Sequence, residues 1–196
     1  DGSVWAWGAN SNGQLGLGHT TQMSSPTAAS ALSDVVAIAA GNAHAVALRT
    51  DGTVWTWGSN ASGELGNGST TSSSAPAQIP GITTAVAITA GYAHTVVLLA
   101  NGTLLSWGAN TYGQLGDGTT TQRTSPVTIN TLTDVVAITA GSYHTLARLS
   151  DGMLVAWGYN GPGTVGGGTT SGRTTPVAVA IGAVATGGAG HTTTFA

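Results

Sequence analysis

The chain contains no cysteine and no lysine. The missing thiols exclude disulfides, thiolate catalysis and cysteine-bound metals, and they leave the redox compartment open. Positive charge is confined to Arg49, Arg123, Arg148 and Arg173, scattered along the chain, and the net charge is −3. Nucleic-acid binding needs a basic patch or stripe, so no nucleic-acid partner is expected. Charged residues make up only 6% of the chain, against roughly 25% in an ordinary globular domain. Hydrophobic residues still reach 41%, enough for a packed core and too many for a disordered chain. No apolar run approaches the ~18 residues of a membrane-spanning helix, so no membrane partner is expected, and no targeting segment is visible. No stretch keeps a 3.6-residue period over about ten residues without glycine, so no helix is expected.

Glycine is abundant instead, at 31 residues, and it falls in a pattern. Residues 41–58, GNAHAVALRTDGTVWTWG, read as two short strands around Asp51-Gly52. Asp-Gly accommodates positive φ cheaply, and the expected connection is a two-residue type I′ turn. The same stretch returns at 91–108 around Asn101-Gly102 and at 141–158 around Asp151-Gly152. Residues 1–8 supply its second half around Asp1-Gly2, and 188–195 its first half. Trp7, Trp57, Trp107 and Trp157 lie one repeat apart, as do Pro26, Pro76, Pro126 and Pro176. His44, His94 and His144 keep that step, whereas His191 arrives three residues early, which places a deletion between Pro176 and His191. The repeats are 1–50, 51–100, 101–150 and 151–196, with each cut falling inside a hairpin.

Each repeat holds four strand candidates. In the first these are Val4–Trp7, the proline-bearing edge segment Pro26–Ala29, the apolar run Asp34–Ala40 and the strand after His44. The apolar run reads as an inner strand covered on both faces, and the Trp strand as filling the wider gap between units. A period near 50 residues with four strands predicts an all-β fold: a β-propeller of four-stranded antiparallel blades, as a partial or oligomer-completed ring. A β-solenoid is the alternative, but its repeats are usually shorter and lack tight hairpins.

The segments IAAGNAHAVAL (38–48), ITAGYAHTVVL (88–98) and ITAGSYHTLAR (138–148), with the flanking DG-x-V-W-x-WG-x-N-x-x-G-Q/E-L-G, resemble the regulator of chromosome condensation repeat. The resemblance covers all four units and implies a β-propeller, usually of seven blades. This sequence departs in having four units, in Arg148 at an aliphatic position, and in the threonines of ATGGAGHTTTF. The family includes an exchange factor for the Ran GTPase that docks on chromatin. The inserted loop and basic tail of that kind are not seen here, so exchange activity is the less expected reading. A more distant likeness is to a bacterial beta-lactamase inhibitor protein, which carries aromatics in turns equivalent to Gly-x-x-His.

Chemistry-bearing groups are sparse. The Gly13-x-x-Gly16-x-Gly18 loop and its copies precede Ser/Thr and proline rather than a helix, so they read as turns and not phosphate cradles. The repeat histidines have no carboxylate neighbour or His-x-x-His spacing, and they read as hydrogen-bonded structural groups. His19 reads as a solvated loop histidine, and Glu64 and Asp117 as solvated loop charges. Asp34 and Asp134 precede inner strands and read as structural. Asn60, Asn67 and Asn101 match the glycosylation pattern as often as chance allows in so Asn-, Ser- and Thr-rich a chain. No catalytic constellation stands out, and no enzymatic activity, metal or cofactor is expected.

The tyrosines are informative. Tyr92 and Tyr143 lie in Gly-x-x-His turns, and Tyr112 and Tyr159 in WG-x-N loops. If the inner strand runs up, both turn types fall at the top of the blade, so all four rings gather on one face. With Asn42 in the first Gly-x-x-His turn, they form the candidate binding surface. The expected function is therefore a protein-binding module with an unidentified protein partner; alternatives are a self-assembling structural unit or a segment of a longer propeller. The low-charge, Ser/Thr-rich composition suggests a bacterial extracellular or cell-surface setting. Unpaired strands at the two ends predict self-closure, a head-to-tail homodimer completing the ring, or further repeats in a longer chain. A lone four-bladed ring would demand the sharpest curvature of these.

Overall fold

The computed structural model describes residues 2–196; Asp1 lies outside the described residues, and with it half of the turn expected at Asp1-Gly2. Alternating apolar residues and repeated glycine turns fold into antiparallel sheets, with no helix among the described residues. Sheet I consists of β3 (Val35–Ala40), β4 (His44–Arg49), β5 (Val54–Gly58) and β6 (Ser73–Gln78), in that order. Sheet II repeats it with β7 (Ala85–Ala90), β8 (His94–Leu99), β9 (Leu104–Gly108) and β10 (Arg123–Thr128). Sheet III follows with β11 (Val135–Ala140), β12 (His144–Leu149), β13 (Leu154–Gly158) and β14 (Arg173–Ala178). Two half-sheets flank them. The pair β1 (Trp5–Gly8) and β2 (Met23–Ala28) matches the outer strands of a blade, and β15 (Gly188–Ala189) and β16 (Thr194–Phe195) match the inner ones. Each complete blade therefore takes its inner pair from one sequence repeat and its outer pair from the next.

The hairpin connection differs from the expected type I′ turn. Gly52 N–H donates to Arg49 O, and Arg49 N–H donates to Thr53 O, so the loop has three residues, Thr50, Asp51 and Gly52. Only Gly52 has positive φ, at 75°. This is a type I turn closed by a left-handed glycine bulge, and Asp51 serves by accepting the Thr53 N–H through its side chain. Leu99–Thr103 and Leu149–Met153 close in the same way.

Apolar side chains of neighbouring sheets interdigitate. Leu48 and Val46 of sheet I pack with Ala85, Val97 and Trp107 of sheet II, and Leu98 of sheet II packs with Val135, Ala147 and Trp157 of sheet III. Inner strands are covered on both faces along most of their length: Ile88 packs back on the first interface and Ala87 forward on the second. The expectation fails at one position each in β7 and β11, and at three in β3, where Val36, Ile38 and Ala40 are exposed. Pairing slips between Val35 and Ala37, between Ala85 and Ala87, and between Val135 and Ala137. The residues at these slips, Val36, Val86 and Val136, remain exposed. The Trp expectation holds for the ring before the WG glycine in the last three repeats and fails for Trp5 and Trp7, which are both exposed. Trp57, Trp107 and Trp157 fill the gaps between sheets, while Trp55 lies half-buried beneath the Arg49 guanidinium, 5.7 Å from the ring centroid.

Each gap-filling indole lies on a glycine of the preceding repeat's loop. A Cβ added at Gly66, where φ is +68°, would stand 2.7 Å from Trp107 Nε1, whereas one at Gly68, φ +81°, would meet nothing closer than Ser125 Oγ at 3.7 Å. Gly66→Ala is expected to cost about 2–4 kcal/mol through backbone strain plus overpacking, and Gly68→Ala about 1–2 kcal/mol through strain alone. Thermal unfolding of the pair checks this. Equal losses would mean that the glycine–indole contact is not tight.

The fourth inner pair is shorter, and its alignment corrects one expectation. Gly190 N–H donates to Thr193 O as Gly141 N–H does to His144 O, and Thr194 occupies the place of Thr145. Thr193 thus stands where the other repeats have histidine, and the deletion is one residue rather than three. His191 is the counterpart of Ser142, Tyr92 and Asn42 and lies on the rim, not among the buried histidines. Arg148, counterpart of Leu48 and Leu98, lines a cavity of about 60 Å³ with Ala185, Thr186 and Gly187, which lead into this hairpin, and its buried Nε has no hydrogen-bond partner.

Candidate functional site

Because β4 runs away from the Gly-x-x-His turn and β5 runs back to the WG-x-N loop, both turn types open on one face. The four tyrosines meet there. Ring centroids of Tyr92 and Tyr143 are 5.3 Å apart, Tyr143 and Tyr112 5.4 Å, and Tyr112 and Tyr159 5.0 Å. Tyr143 and Tyr159 are 6.5 Å apart, and His191 joins from the last turn at 5.9 Å from Tyr143. Tilted and edge-on contacts at these distances suit the aromatic quadrupole, so the rings hold one another in place. Tyr92 and Tyr112 are 43% and 44% exposed, while Tyr143 and Tyr159 are half-buried between them. Burial, then the adjacent Tyr92 and Tyr112, pushes the Tyr143 phenol above its ordinary pKa, so the ring stays neutral across the physiological range.

The cluster joins two concavities. Tyr92 lines the mouth of the central channel, a cavity of about 300 Å³, together with Asn42, Ser142 and His191. Ser142 Oγ lies 2.6 Å from His191 Nδ1. Asn42 N–H donates to Tyr92 O, and Tyr92 N–H donates to Ser142 O, so backbone bonds step from blade to blade around the mouth. Asn42 is exposed there but stands outside the ring cluster. Tyr112 and Tyr159 line a second cavity of about 370 Å³ with Thr111, Thr120, Asn160 and Thr170. The WG-x-N asparagines shape these loops. The side chain of buried Asn110 accepts from Leu115 N–H and donates to Thr119 O and Thr121 O, and Asn60 and Asn160 repeat the arrangement. Asn60 is fully buried and so closed to glycosylation. The 50-residue recurrence of these asparagines was the signal for a loop organiser, and it went unread.

The repeat histidines lie beneath the face. His94 Nε2 is 3.1 Å from Thr145 Oγ1, whose hydroxyl donates to Gln114 O. The threonine proton is thereby committed, so the imidazole donates from Nε2 and Nδ1 stays an unprotonated acceptor. His44–Thr95–Glu64 O and His144–Thr194–Thr164 O copy this relay. Burial lowers the pKa of His44 to about 4 and of His144 to about 4; His94, buried and flanked by the other two, falls to about 3. The same loop carbonyls accept the indoles: Trp107 Nε1 donates to Glu64 O and Trp157 Nε1 to Gln114 O. These groups bind sheet to sheet.

Glu64 and Asp117 are not the solvated charges expected. Glu64 is buried, and its carboxylate accepts the Ser62 N–H, as the Gln114 amide oxygen accepts from Tyr112 N–H. Burial opposes ionisation of Asp117, but hydrogen bonds from Thr119 and Arg123 outweigh it and hold the carboxyl below its usual range. Among the described residues, no group of three His, Asp or Glu side chains gathers to hold a metal ion.

The family model described as the RCC1-like domain matches residues 1–196. Human WBSCR16 is similar at 27% identity and a TM-score of 0.85, over 96% of this chain and 51% of its own. Prp20p from Saccharomyces cerevisiae, described with its binding to Gsp1p and histones, is similar at 23% identity and a TM-score of 0.85, over 96% of this chain and 50% of its own. The same yeast protein bound to Kap60 gives 23% identity and a TM-score of 0.85, over 98% of this chain and 49% of its own. The chain thus spans about half the length of the solved structures it matches.

Proposed function

Since the chain belongs to the RCC1-like domain family, we propose that it is a non-enzymatic protein-binding module whose contact surface is the Tyr92–Tyr143–Tyr112–Tyr159 cluster. The carrying observation is the convergence of four rings from two kinds of turn on two neighbouring blades into one contiguous patch. Tyrosine offers large contact area with few rotatable bonds, and rings already packed on one another lose little freedom on binding. The flanking concavities at the channel mouth and between the last two loops give a partner's side chains places to enter. The yeast relative is described with binding to Gsp1p and histones and bound to Kap60, which supports a protein as the class of ligand. The low-charge composition supports an extracellular or cell-surface partner, one recognised by shape and aromatic contact rather than by ion pairing.

Tyr92→Ala and Tyr143→Ala test this against a partner isolated with the unaltered chain. Each is expected to weaken binding by about 10- to 30-fold, as central aromatic contacts do. Tyr92→Ala should leave stability within about 0.5 kcal/mol. Unchanged affinity, or a melting temperature lowered by several degrees, would show that the rings are packing residues instead.

A further inference from the structure

We propose that Arg173 and the loop around Thr169 form a binding site for a carboxylate group brought by a ligand. The preceding repeat shows the same site filled from within. Both oxygens of the Asp117 carboxylate are held there. Its Oδ2 accepts from Arg123 Nε and Nη2, each at 2.8 Å. Its Oδ1 accepts from the Thr119 N–H at 3.0 Å, the Thr119 hydroxyl at 2.7 Å and the Asn110 amide at 3.1 Å. Paired guanidinium donors on one carboxylate make a strong, directional contact. Every one of these donors belongs to the same repeat as Asp117, within sheet II and its loop.

Sheet III and its loop keep the donors and lack the carboxylate. Arg173, Thr169 and Asn160 stand where Arg123, Thr119 and Asn110 do, and Gly167 takes the place of Asp117. The frame is preserved. Arg173 Nη2 lies 3.2 Å from Thr169 Oγ1, as Arg123 Nη2 lies 3.4 Å from Thr119 Oγ1. The Asn160 amide still donates to Thr169 O and Ser171 O. Arg173 Nε, however, is buried without a hydrogen-bond partner. Among the described residues, no carboxylate lies within ion-pair distance of Arg173. A charged donor left unpaired in this way costs free energy that an acceptor would recover.

The other repeats match the two positions in kind. They hold Leu17 with Met23, Asn67 with Ser73, and Asp117 with Arg123. Gly167 with Arg173 leaves a cation alone. The glycine answers no need of its own backbone or packing. Its φ is not in the left-handed region, and a Cβ there would meet nothing nearer than Val177 Cγ2 at 3.9 Å. Thr169 is exposed where Thr119 is half-buried, so the vacant acceptor position opens to solvent.

The site borders the tyrosine patch. Arg173 pairs with Gly158, the residue before Tyr159, and its neighbour Gly172 lines the Tyr112–Tyr159 cavity together with Thr170. The tyrosine rings carry no charge, so contacts to them alone leave a partner free to turn. One ion pair at the margin is the exception to that neutral recognition, and it fixes orientation. This last role rests on the patch being a contact surface; the carboxylate site itself does not.

Titrating the isotope-labelled 196-residue chain with sodium acetate at constant ionic strength, followed by NMR, tests the site without any partner. The Thr169 amide and Arg173 Nε signals should shift saturably, half-complete at about 10 mM acetate, within what so small a ligand can gain. Thr119 and Arg123, already satisfied, should stay still and report that each variant is folded. Gly167→Asp supplies the carboxyl from the chain itself and should abolish the shift. Arg173→Gln should weaken acetate at least about 10-fold. No saturable shift in the unaltered chain, or an equal shift in Gly167→Asp, would overturn the proposal. Affinity of Gly167→Asp for the isolated partner then separates two sources of the carboxylate. A loss of at least about 10-fold assigns it to an acidic side chain of that partner, and unchanged affinity to a free small carboxylate. The acetate result is independent of the tyrosine variants, so either can fail without the other.

Discussion

Trp107→Ala is expected to lower the stability of the chain by about 3–5 kcal/mol, measured by urea unfolding. The indole is fully buried between sheets I and II, against Val46, Val97 and Ile79. It also donates to Glu64 O at 2.7 Å, so its removal leaves a cavity and deprives a buried carbonyl of one donor. Trp107→Phe keeps most of the packing and should cost about 2 kcal/mol. Trp7→Ala should change stability by no more than about 0.5 kcal/mol, because that ring is 59% exposed. An unfolding midpoint untouched by Trp107→Ala would contradict the assignment of the Trp strand to the gap between blades.

Acid is expected to destabilise the fold well before its carboxylates titrate. His44, His94 and His144 are held neutral, with pKa values of about 4, 3 and 4, against about 6.5 in the unfolded chain. Between pH 6.5 and about pH 4, unfolding therefore takes up protons that the folded chain refuses. The sign follows: stability is full above about pH 6.5 and falls as pH drops toward the folded values, by about 1.4 kcal/mol per pH unit for each histidine. From pH 7 to pH 5 the loss is on the order of 2 kcal/mol per histidine, or about 6 kcal/mol for the three. The buried, unpartnered Nδ1 atoms of His94 and His144 explain the refusal, since a second proton there would find no acceptor. Urea unfolding at pH 7 and pH 5 measures the loss, and His94→Gln should remove about a third of the pH slope. Equal stability at the two pH values would show that the histidines can charge in place.

The repeat, the four-stranded blade and the shared face of the tyrosines were legible in the sequence, because each depends on spacing or on strand direction. Strand direction alone placed Tyr92, Tyr143, Tyr112 and Tyr159 at one end of the blades. Their contact at 5.0–5.4 Å was not legible, since it depends on the rotation between neighbouring blades. The fourth repeat misled because its histidine is a different residue in kind. With Thr193 in the histidine's place, His191 offered a false anchor two positions upstream. The hairpin type was missed because Asp-Gly suits both a type I′ turn and a type I turn with a glycine bulge; the strand register decides between them. Glu64 was misread because a charge in a loop is usually solvated. Its equivalence with Gln14 and Gln114 was the clue that the position caps a buried turn. The relay through Thr95, Thr145 and Thr194 could have been inferred from the threonine that follows the histidine position, had the first repeat not carried Ala45 there.

The His–Thr–carbonyl–Trp interlock always reaches from one sheet to its immediate neighbour. Stability in such an array is close to a sum of neighbour terms, so what counts is the number of contacts between units rather than the number of units. An open row always has one contact fewer than it has units, and a closed ring has as many contacts as units. Circularity therefore supplies a contact without a single added residue. A lineage carrying this repeat can add or delete whole units at little thermodynamic risk, provided that the two ends of the row still meet a matching edge.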